Sequence, residues 1–299
     1  MTVGRFAPSP SGPLHLGNLR TALLAWCFAR SEGGRFLVRM EDLTTGAAPV
    51  AEAGQLADLA TLGLDHDGPV ERQSGRRALH DAALARLVDA GLTYECFCSR
   101  REIREAAAAP HGPSEEGRYP GTCRGLTGAE RAECRATGRA PALRLRAEGA
   151  RVAVTDRLLG TTEAVVDDIV LRRADGVVAY NLAVVVDDAD QGVDQVVRGD
   201  DLWHATPAQA LLQDLLELPR PSYAHVPLVL GADGDRLAKR HGAVTLADRT
   251  AAGESSAATL GLLAASLGLA EPGEEPDAAT VLGRFRPDRL PTVPWVLGG

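Results

Sequence analysis

The segment that most restricts what this chain can fold into is Arg5-Phe6-Ala7-Pro8-Ser9-Pro10-Ser11-Gly12-Pro13-Leu14-His15-Leu16-Gly17-Asn18. Val3 to Ala7 is short and apolar, as a buried strand is. The run Pro8 to Pro13 then forms a turn, because proline neither donates to a sheet ladder nor continues a helix. After Gly17 a helical pattern sets in, with Leu19, Leu23, Trp26 and Arg30 on one stripe and Gly33-Gly34 as its C-terminal stop. A strand that turns into a helix presents free N–H groups and a positive dipole end at the turn. Small residues there let a nucleotide approach the backbone. His15 can hold a phosphoryl oxygen as charge builds on it. The plainer alternative is a histidine that only caps the helix.

The pattern continues as α/β. Arg35 to Asp42 alternates like a strand, with Phe36, Val38 and Met40 opposite Arg39 and Glu41. Val50 to Leu62 and Ser74 to Ala90 read as amphipathic helices, the second with Leu79, Ala83, Leu84, Leu87 and Val88 on its apolar side. Strand–turn–helix–strand–helix order predicts a parallel sheet. From Tyr94 to about Arg139 the character changes. Ser99-Arg100-Arg101-Glu102 and Thr127-Gly128-Ala129-Glu130 are capping-box sequences, so two short helices begin there, with a loop over Ala109 to Pro113 between them. Strand candidates follow at Leu143 to Leu145, Val152 to Thr155 and Val165 to Arg172, then the strongly apolar run Val177 to Val186. Gln195 to Arg198 is another strand candidate and Pro207 to Leu216 another helix. Helix patterns at Ala257 to Leu267 and Asp277 to Phe285 close the chain. The expected division is 1–93 for the first half of a core, 94–140 for an insertion, 141–250 for the second half and 251–299 for a helical C-terminal cap.

Composition narrows the function classes. With 45% apolar and 24% charged residues over 299 positions, the chain can bury a core and is not a disordered polymer. Its net charge of −8 opposes broad, charge-driven binding to nucleic acid but leaves room for a local basic patch. Apolar runs such as Leu182 to Val186 fall far short of the roughly 20 residues that cross a bilayer. Met1 to Arg5 lacks a signal peptide's apolar stretch. Five cysteines, an odd number, argue against a disulfide framework. A cytoplasmic protein without membrane partners is the expectation.

Two further constellations carry chemistry. Asp235-Arg236-Leu237-Ala238-Lys239-Arg240-His241-Gly242 is a basic turn far along the chain from His15. Cys96-Phe97-Cys98 with Tyr119 and Cys123 offers three thiols for a tetrahedral zinc, the fourth ligand being Tyr119 or His111. Cys27 and Cys134 stand apart from it.

His15-Leu16-Gly17-Asn18, set in Pro-Ser-Pro-Ser-Gly-Pro-Leu, resembles the "HIGH" signature of class I aminoacyl-tRNA synthetases in its glutamyl/glutaminyl form. The Asp235 to Gly242 turn resembles their "KMSKS" loop, with Arg236 and Ala238 where Lys and Ser are usual and Lys239 kept. Arg172 to Gly176, Tyr180 to Asp188 and Val196 to Leu202 look like the amino-acid-binding core of the glutamyl type. Tyr119-Pro120-Gly121-Thr122-Cys123 looks like part of the zinc site in its insertion. A full-length glutamyl enzyme continues past that loop into an anticodon-binding domain. The short stretch after Val244 instead matches a shortened group within the family, one that glutamylates the queuosine base of tRNA(Asp).

The resemblance implies a Rossmann-type class I catalytic core, α/β, with a small zinc-binding insertion and a short helical C-terminal part. It implies catalysis by His15 and Lys239, and ATP held by His15, Gly17, Asn18, Arg236 and Lys239 with Mg²⁺. L-glutamate would meet Arg5, Phe6, Ala7, Pro8, Ser9, Glu41, Tyr180 and Arg198. One structural Zn²⁺ would sit on Cys96, Cys98, Tyr119 and Cys123, and the protein would act as a monomer on tRNA(Asp) carrying queuosine. The residue chemistry agrees, since glutamate's two carboxylates match arginine forks and its ammonium matches a carboxylate. One departure stands out. After Glu41-Asp42 the family usually has Leu-Asp and then an Arg, where this chain has Leu43-Thr44-Thr45-Gly46-Ala47-Ala48. Three rival readings are a truncated glutamyl-tRNA synthetase charging a tRNA 3′ end, a non-catalytic synthetase-like regulator, and a generic nucleotidylyltransferase. The last leaves the glutamate-pocket residues and the Cys/Tyr cluster without a use.

Overall fold

A computed structural model describes residues 1–44, 48–107, 119–237, 241–242 and 244–298. Strand β1 (Val3–Phe6) leads through the proline turn into helix α1 (Leu16–Ser31) and strand β2 (Arg35–Met40). The helix stops where Gly33 takes a φ of 65°, a conformation that costs glycine nothing. Helix α2 (Pro49–Thr61), the short strand β3 (Glu71–Arg72) and helix α3 (Arg77–Asp89) complete the first half. The insertion adds β4 (Thr93–Cys96), α4 (Arg100–Ala107), α5 (Gly128–Ala136) and β5 (Ala142–Leu145). The chain then forms β6 (Arg151–Asp156), β7 (Gly160–Val165), β8 (Val170–Arg172), α6 (Tyr180–Asp190), β9 (Gln195–Gly199), α7 (Thr206–Leu215) and β10 (Ser222–Val226). Last come β11 (Val229–Leu230), α8 (Leu246–Ala251), α9 (Ser256–Ala265), α10 (Ala278–Arg284) and β12 (Trp295–Val296).

The main sheet runs β3-β2-β1-β9-β10-β6-β7. Every pairing in it is parallel except the β6–β7 hairpin at the edge. Strand order therefore reverses between β1 and β9, and in open α/β sheets the crevice at such a reversal is where ligands bind. Alternation sends β2 side chains to two cores. Phe36, Val38 and Met40 pack with α1 and the C-terminal helices, and Leu37 packs with α3, α6 and α7. β4, β5 and β8 form a separate antiparallel sheet that carries the cysteine cluster. That small sheet takes β5 and β8 from residues beyond 140.

The apolar run Val177 to Val186, which was given no element type, leads into the helix Tyr180–Asp190, whose Leu182, Ala183, Val184, Val185 and Val186 are all buried, so burial overrides the weak helix propensity of a valine run. Two expectations need correction. Val165 to Arg172 is not one strand: β7 ends at Val165 and β8 begins at Val170, and the body of β7 escaped the sequence reading. On α3 the buried positions are His80, Ala83, Leu84 and Leu87, whereas Leu79 and Val88 are 40% and 44% exposed. His80 displaces Leu79 from the core because its Nε2 lies 2.9 Å from buried Asp187. The C-terminal helices pack on α1. Phe28 and Phe285 meet edge to face at 5.0 Å, and Arg20 donates to Ser266 Oγ and the Pro227 carbonyl.

Candidate functional site

A cavity of about 600 Å³ opens at the C-terminal ends of β1 and β9. It is lined by Arg5, Phe6, Ala7, Pro8, Ser9, His15, Gly17, Asn18, Glu41, Tyr180, Arg198 and Arg236. Residues from Arg5 to Leu237, far apart along the chain, are thus brought to one place. Lys239, with Ala238 and Arg240, lies outside the described residues, as do His111 and Thr45 to Ala47.

The start of α1 is built by a reciprocal cap. His15 Nδ1 accepts from the Asn18 N–H at 3.2 Å, and Asn18 Oδ1 accepts from the His15 N–H at 3.3 Å. With Nδ1 used as an acceptor, the neutral ring carries its proton on Nε2. Burial and the charge of Arg236 push the His15 pKa below its ordinary value, so the ring is a neutral donor near pH 7. The capping role and the donor role are therefore compatible, and the first fixes the tautomer for the second. Asn18 is committed to this cap through its oxygen. A Cβ on Gly17 would lie 3.0 Å from two atoms of the His15 ring, which explains the glycine. Arg236 reaches Asp201 Oδ2 at 2.8 Å and so stands on the cavity wall already paired.

The opposite wall carries buried charge. Arg5 donates through Nε to Asp188 Oδ1 at 3.2 Å and through Nη1 to the Val197 carbonyl at 3.4 Å. Arg39, with no exposed side chain, donates through Nη1 to both Asp188 Oδ1 and Gln191 Oε1 at 2.7 Å, and through Nη2 to Glu41 Oε1 at 3.5 Å. Burial opposes the charge on Asp188, but Arg5 and Arg39 hold its carboxyl below the usual range. For Glu41 the balance falls the other way. Burial, with Asp188 adding to it, raises its pKa despite Arg39 and Arg5. Arg198 donates to the Tyr180 hydroxyl at 3.4 Å, at the first turn of α6. The proline turn is held by Gln55, whose Nε2 donates to the Ser9 carbonyl at 3.0 Å and the Gly12 carbonyl at 2.7 Å.

Gln55 and Arg39 were missed as parts of this site, and Asp187 and Asp188, which fall in the stretch resembling the amino-acid-binding core, were given no partners. Asp187-Asp188, ending an apolar run, was the one visible signal, because acidic residues at the foot of a buried helix need buried partners. Asp187 finds them in Gln73, Arg76 and His80.

A second cavity, about 650 Å³, shares Ser9, Glu41 and Tyr180 with the first and extends along Arg144 and Arg173 to Cys96 and Cys98. There the three thiols of Cys96, Cys98 and Cys123 lie within 4.8 Å of one another and could hold a metal ion. The Tyr119 hydroxyl is 3.3 Å from Cys96 Sγ and 3.8 Å from Cys98 Sγ, and Cys98 and Cys123 sulfurs are 3.5 Å apart. A tetrahedral thiolate site with arms of about 2.3 Å has edges of about 3.8 Å, and these three separations lie close to that. Burial opposes ionisation of Cys96, yet hydrogen bonds from Tyr119 and Arg144 bring its pKa below the ordinary thiol value. Among the described residues, no helix is long and apolar enough to cross a membrane.

Known proteins match this arrangement. Residues 1–274 match the family described as tRNA synthetases class I (E and Q), catalytic domain. A glutamyl-Q tRNA(Asp) synthetase of Nocardia farcinica is 63% identical over 98% of this chain and 92% of its own length. One from Symbiobacterium thermophilum is 48% identical over 98% of this chain and 95% of its own. The crystal structure of a glutamate-tRNA synthetase from Elizabethkingia anophelis superposes with a TM-score of 0.85 at 25% identity, covering all of this chain and 68% of that one. With its reversed strand order, capped HLGN helix and cysteine-bearing insertion, the chain belongs to the class I glutamyl/glutaminyl tRNA synthetases, a family of ligases.

Proposed function

We propose that this chain activates L-glutamate with ATP and transfers the glutamyl group to the queuosine base at the wobble position of tRNA(Asp). The observation that carries the reading is one cavity holding Arg5, Arg198 and Glu41 beside the capped start of α1. Two buried guanidinium groups suit a dicarboxylate and one buried carboxylate suits its ammonium. The naming of the relatives supports the choice of acceptor.

In this mechanism Glu41 takes the substrate ammonium, and Arg5 and Arg198 take its carboxylates, with Tyr180 and the Phe6 to Ser9 backbone closing the pocket. The α-carboxylate attacks the α-phosphorus of ATP and pyrophosphate leaves. His15, donating from Nε2, the free N–H groups near Gly17, and Lys239 stabilise the growing phosphoryl charge, while Arg236 exchanges Asp201 for a phosphate. Mg²⁺ bound with ATP would supply positive charge to the departing pyrophosphate. No protein nucleophile is needed, because alignment supplies the rate. The acceptor hydroxyl then attacks the acyl carbon and AMP leaves. Cys96, Cys98, Cys123 and Tyr119 would hold one Zn²⁺; four protein donors would leave no position for substrate, so the ion would be structural.

Glutamate-dependent ATP–pyrophosphate exchange tests the activation step. Wild-type protein is expected to exchange, and Lys239→Ala to lose at least about a hundredfold in rate with the melting temperature unchanged. Unchanged exchange in that variant would remove the 235–242 loop from the mechanism. Absence of exchange in the wild type would favour the regulator.

A further inference from the structure

Arg198 owes its placement to a buried chain of side chains that the mechanism above does not use. In the parallel register of β9 and β10, Arg198 stands opposite His225, and on the next strand Tyr223 stands opposite Asp156. Same-face neighbours on three strands therefore line up as Asp156, His225 and Arg198, which are 3%, 0% and 5% exposed. Arg198 Nε lies 3.0 Å from His225 Nε2. An arginine N–H can only donate, so Nε2 must present its lone pair and the ring proton must sit on Nδ1. Nδ1 lies 2.7 Å from Asp156 Oδ2. That carboxylate also accepts the His225 N–H on Oδ2 and the Leu158 and Leu159 N–H groups on Oδ1. It is thus an ionised acceptor on both oxygens. Arg198 Nη2 donates to Thr206 Oγ1 at 2.8 Å, and the His225 ring is walled by Trp203 edge-on at 4.9 Å. With Nε and one Nη2 proton spent on this side, the guanidinium's Nη1 side, which donates one proton to the Tyr180 hydroxyl at 3.4 Å, is the side left for the cavity.

We propose that His225, locked by Asp156 as the tautomer protonated on Nδ1, is the positioning residue that sets the guanidinium plane of Arg198 for a substrate carboxylate. The role rests on the reading that Arg198 meets glutamate. His225 touches no substrate; it acts through Arg198.

The test compares two replacements that both lose the Asp156 bond. In His225→Gln the side-chain oxygen falls near the place of Nε2 and still accepts from Arg198, whereas His225→Leu offers no acceptor. The glutamate KM in ATP–pyrophosphate exchange is expected to rise about tenfold or more in His225→Leu and to stay within about threefold of wild type in His225→Gln, with the ATP KM unchanged in both. Equal glutamate KM values in the two variants would overturn the positioning role. Should either variant fail to fold, ¹⁵N chemical shifts of the wild-type histidines decide: a buried imidazole protonated on Nδ1 alone is expected, and protonation of His225 on Nε2 would overturn the proposal. Wild-type exchange with parallel Gln and Leu variants would sink the relay alone. No wild-type exchange would sink the function and the assignment of Arg198 with it.

Discussion

Glu41 is asked to be ionised where ionisation is unfavourable. Its raised pKa comes first from burial and then from Asp188, against Arg39 and Arg5. An acid whose folded pKa is raised gains folding stability when protonated and loses it as pH climbs through that pKa. Glu41→Gln is therefore expected to match or exceed the wild type in melting temperature at pH 7 while losing glutamate binding, as calorimetry of each would show. For the wild type, the glutamate KM should climb as pH falls through the Glu41 range, above the ordinary value of about 4.3 at which free glutamate itself titrates. A KM that stays flat as pH falls to the ordinary glutamate range would remove Glu41 from the ammonium site. Asp188 makes the opposite case. Because it pairs Arg5 and Arg39 in the interior, Asp188→Ala leaves two buried cations and should cost roughly 3–5 kcal/mol in urea unfolding. At this scale the family resemblance pointed to Arg5, Glu41 and Arg198, and the structure brings the three to one cavity. His225 and Gln55 carried no such signal, and neither did the pairing of Asp188 with Arg5 and Arg39. Their partners lie on other strands and helices, and pairing register is absent from a linear reading.

Local chemistry was the most legible part of the elements. The Ser99–Glu102 and Thr127–Glu130 boxes form as the spacing predicts, since both partners sit three residues apart on one helix start. The strand–turn–helix of β1 and α1 was equally plain, being fixed by prolines, glycines and a four-residue motif. A valine-rich run was not, because a fully buried helix shows no polar face to reveal its period. α1 yields its own prediction. Gly17→Ala would push the His15 ring from the helix start, and exchange should fall by about 10²-fold while the melting temperature changes little. Exchange retained at the wild-type rate would show that the ring position is not critical. The insertion yields another. Metal analysis should find about one equivalent of zinc, reduced in Cys98→Ser together with the melting temperature. A stable wild-type protein without metal would dismiss the site.

Over the whole molecule, the sequence reading anticipated an α/β core with an insertion and a helical end, but not the strand order. That order follows from long-range pairing, β1 with β9 across most of the core, and it is what puts residues 5, 41, 180, 198 and 236 around one crevice. The same sheet carries the Asp156–His225–Arg198 line, which only the register of β6, β10 and β9 brings together. The C-terminal helices close over α1 and continue its core without adding a second one. What this frame delivers glutamate to is the central claim, and one measurement addresses it directly: ATP-dependent transfer of labelled glutamate to two tRNA pools, one containing queuosine and one lacking it. Label confined to tRNA(Asp) of the queuosine-bearing pool is the result predicted here. Label on tRNA(Glu) in both pools would contradict it and make the chain a short glutamyl-tRNA synthetase.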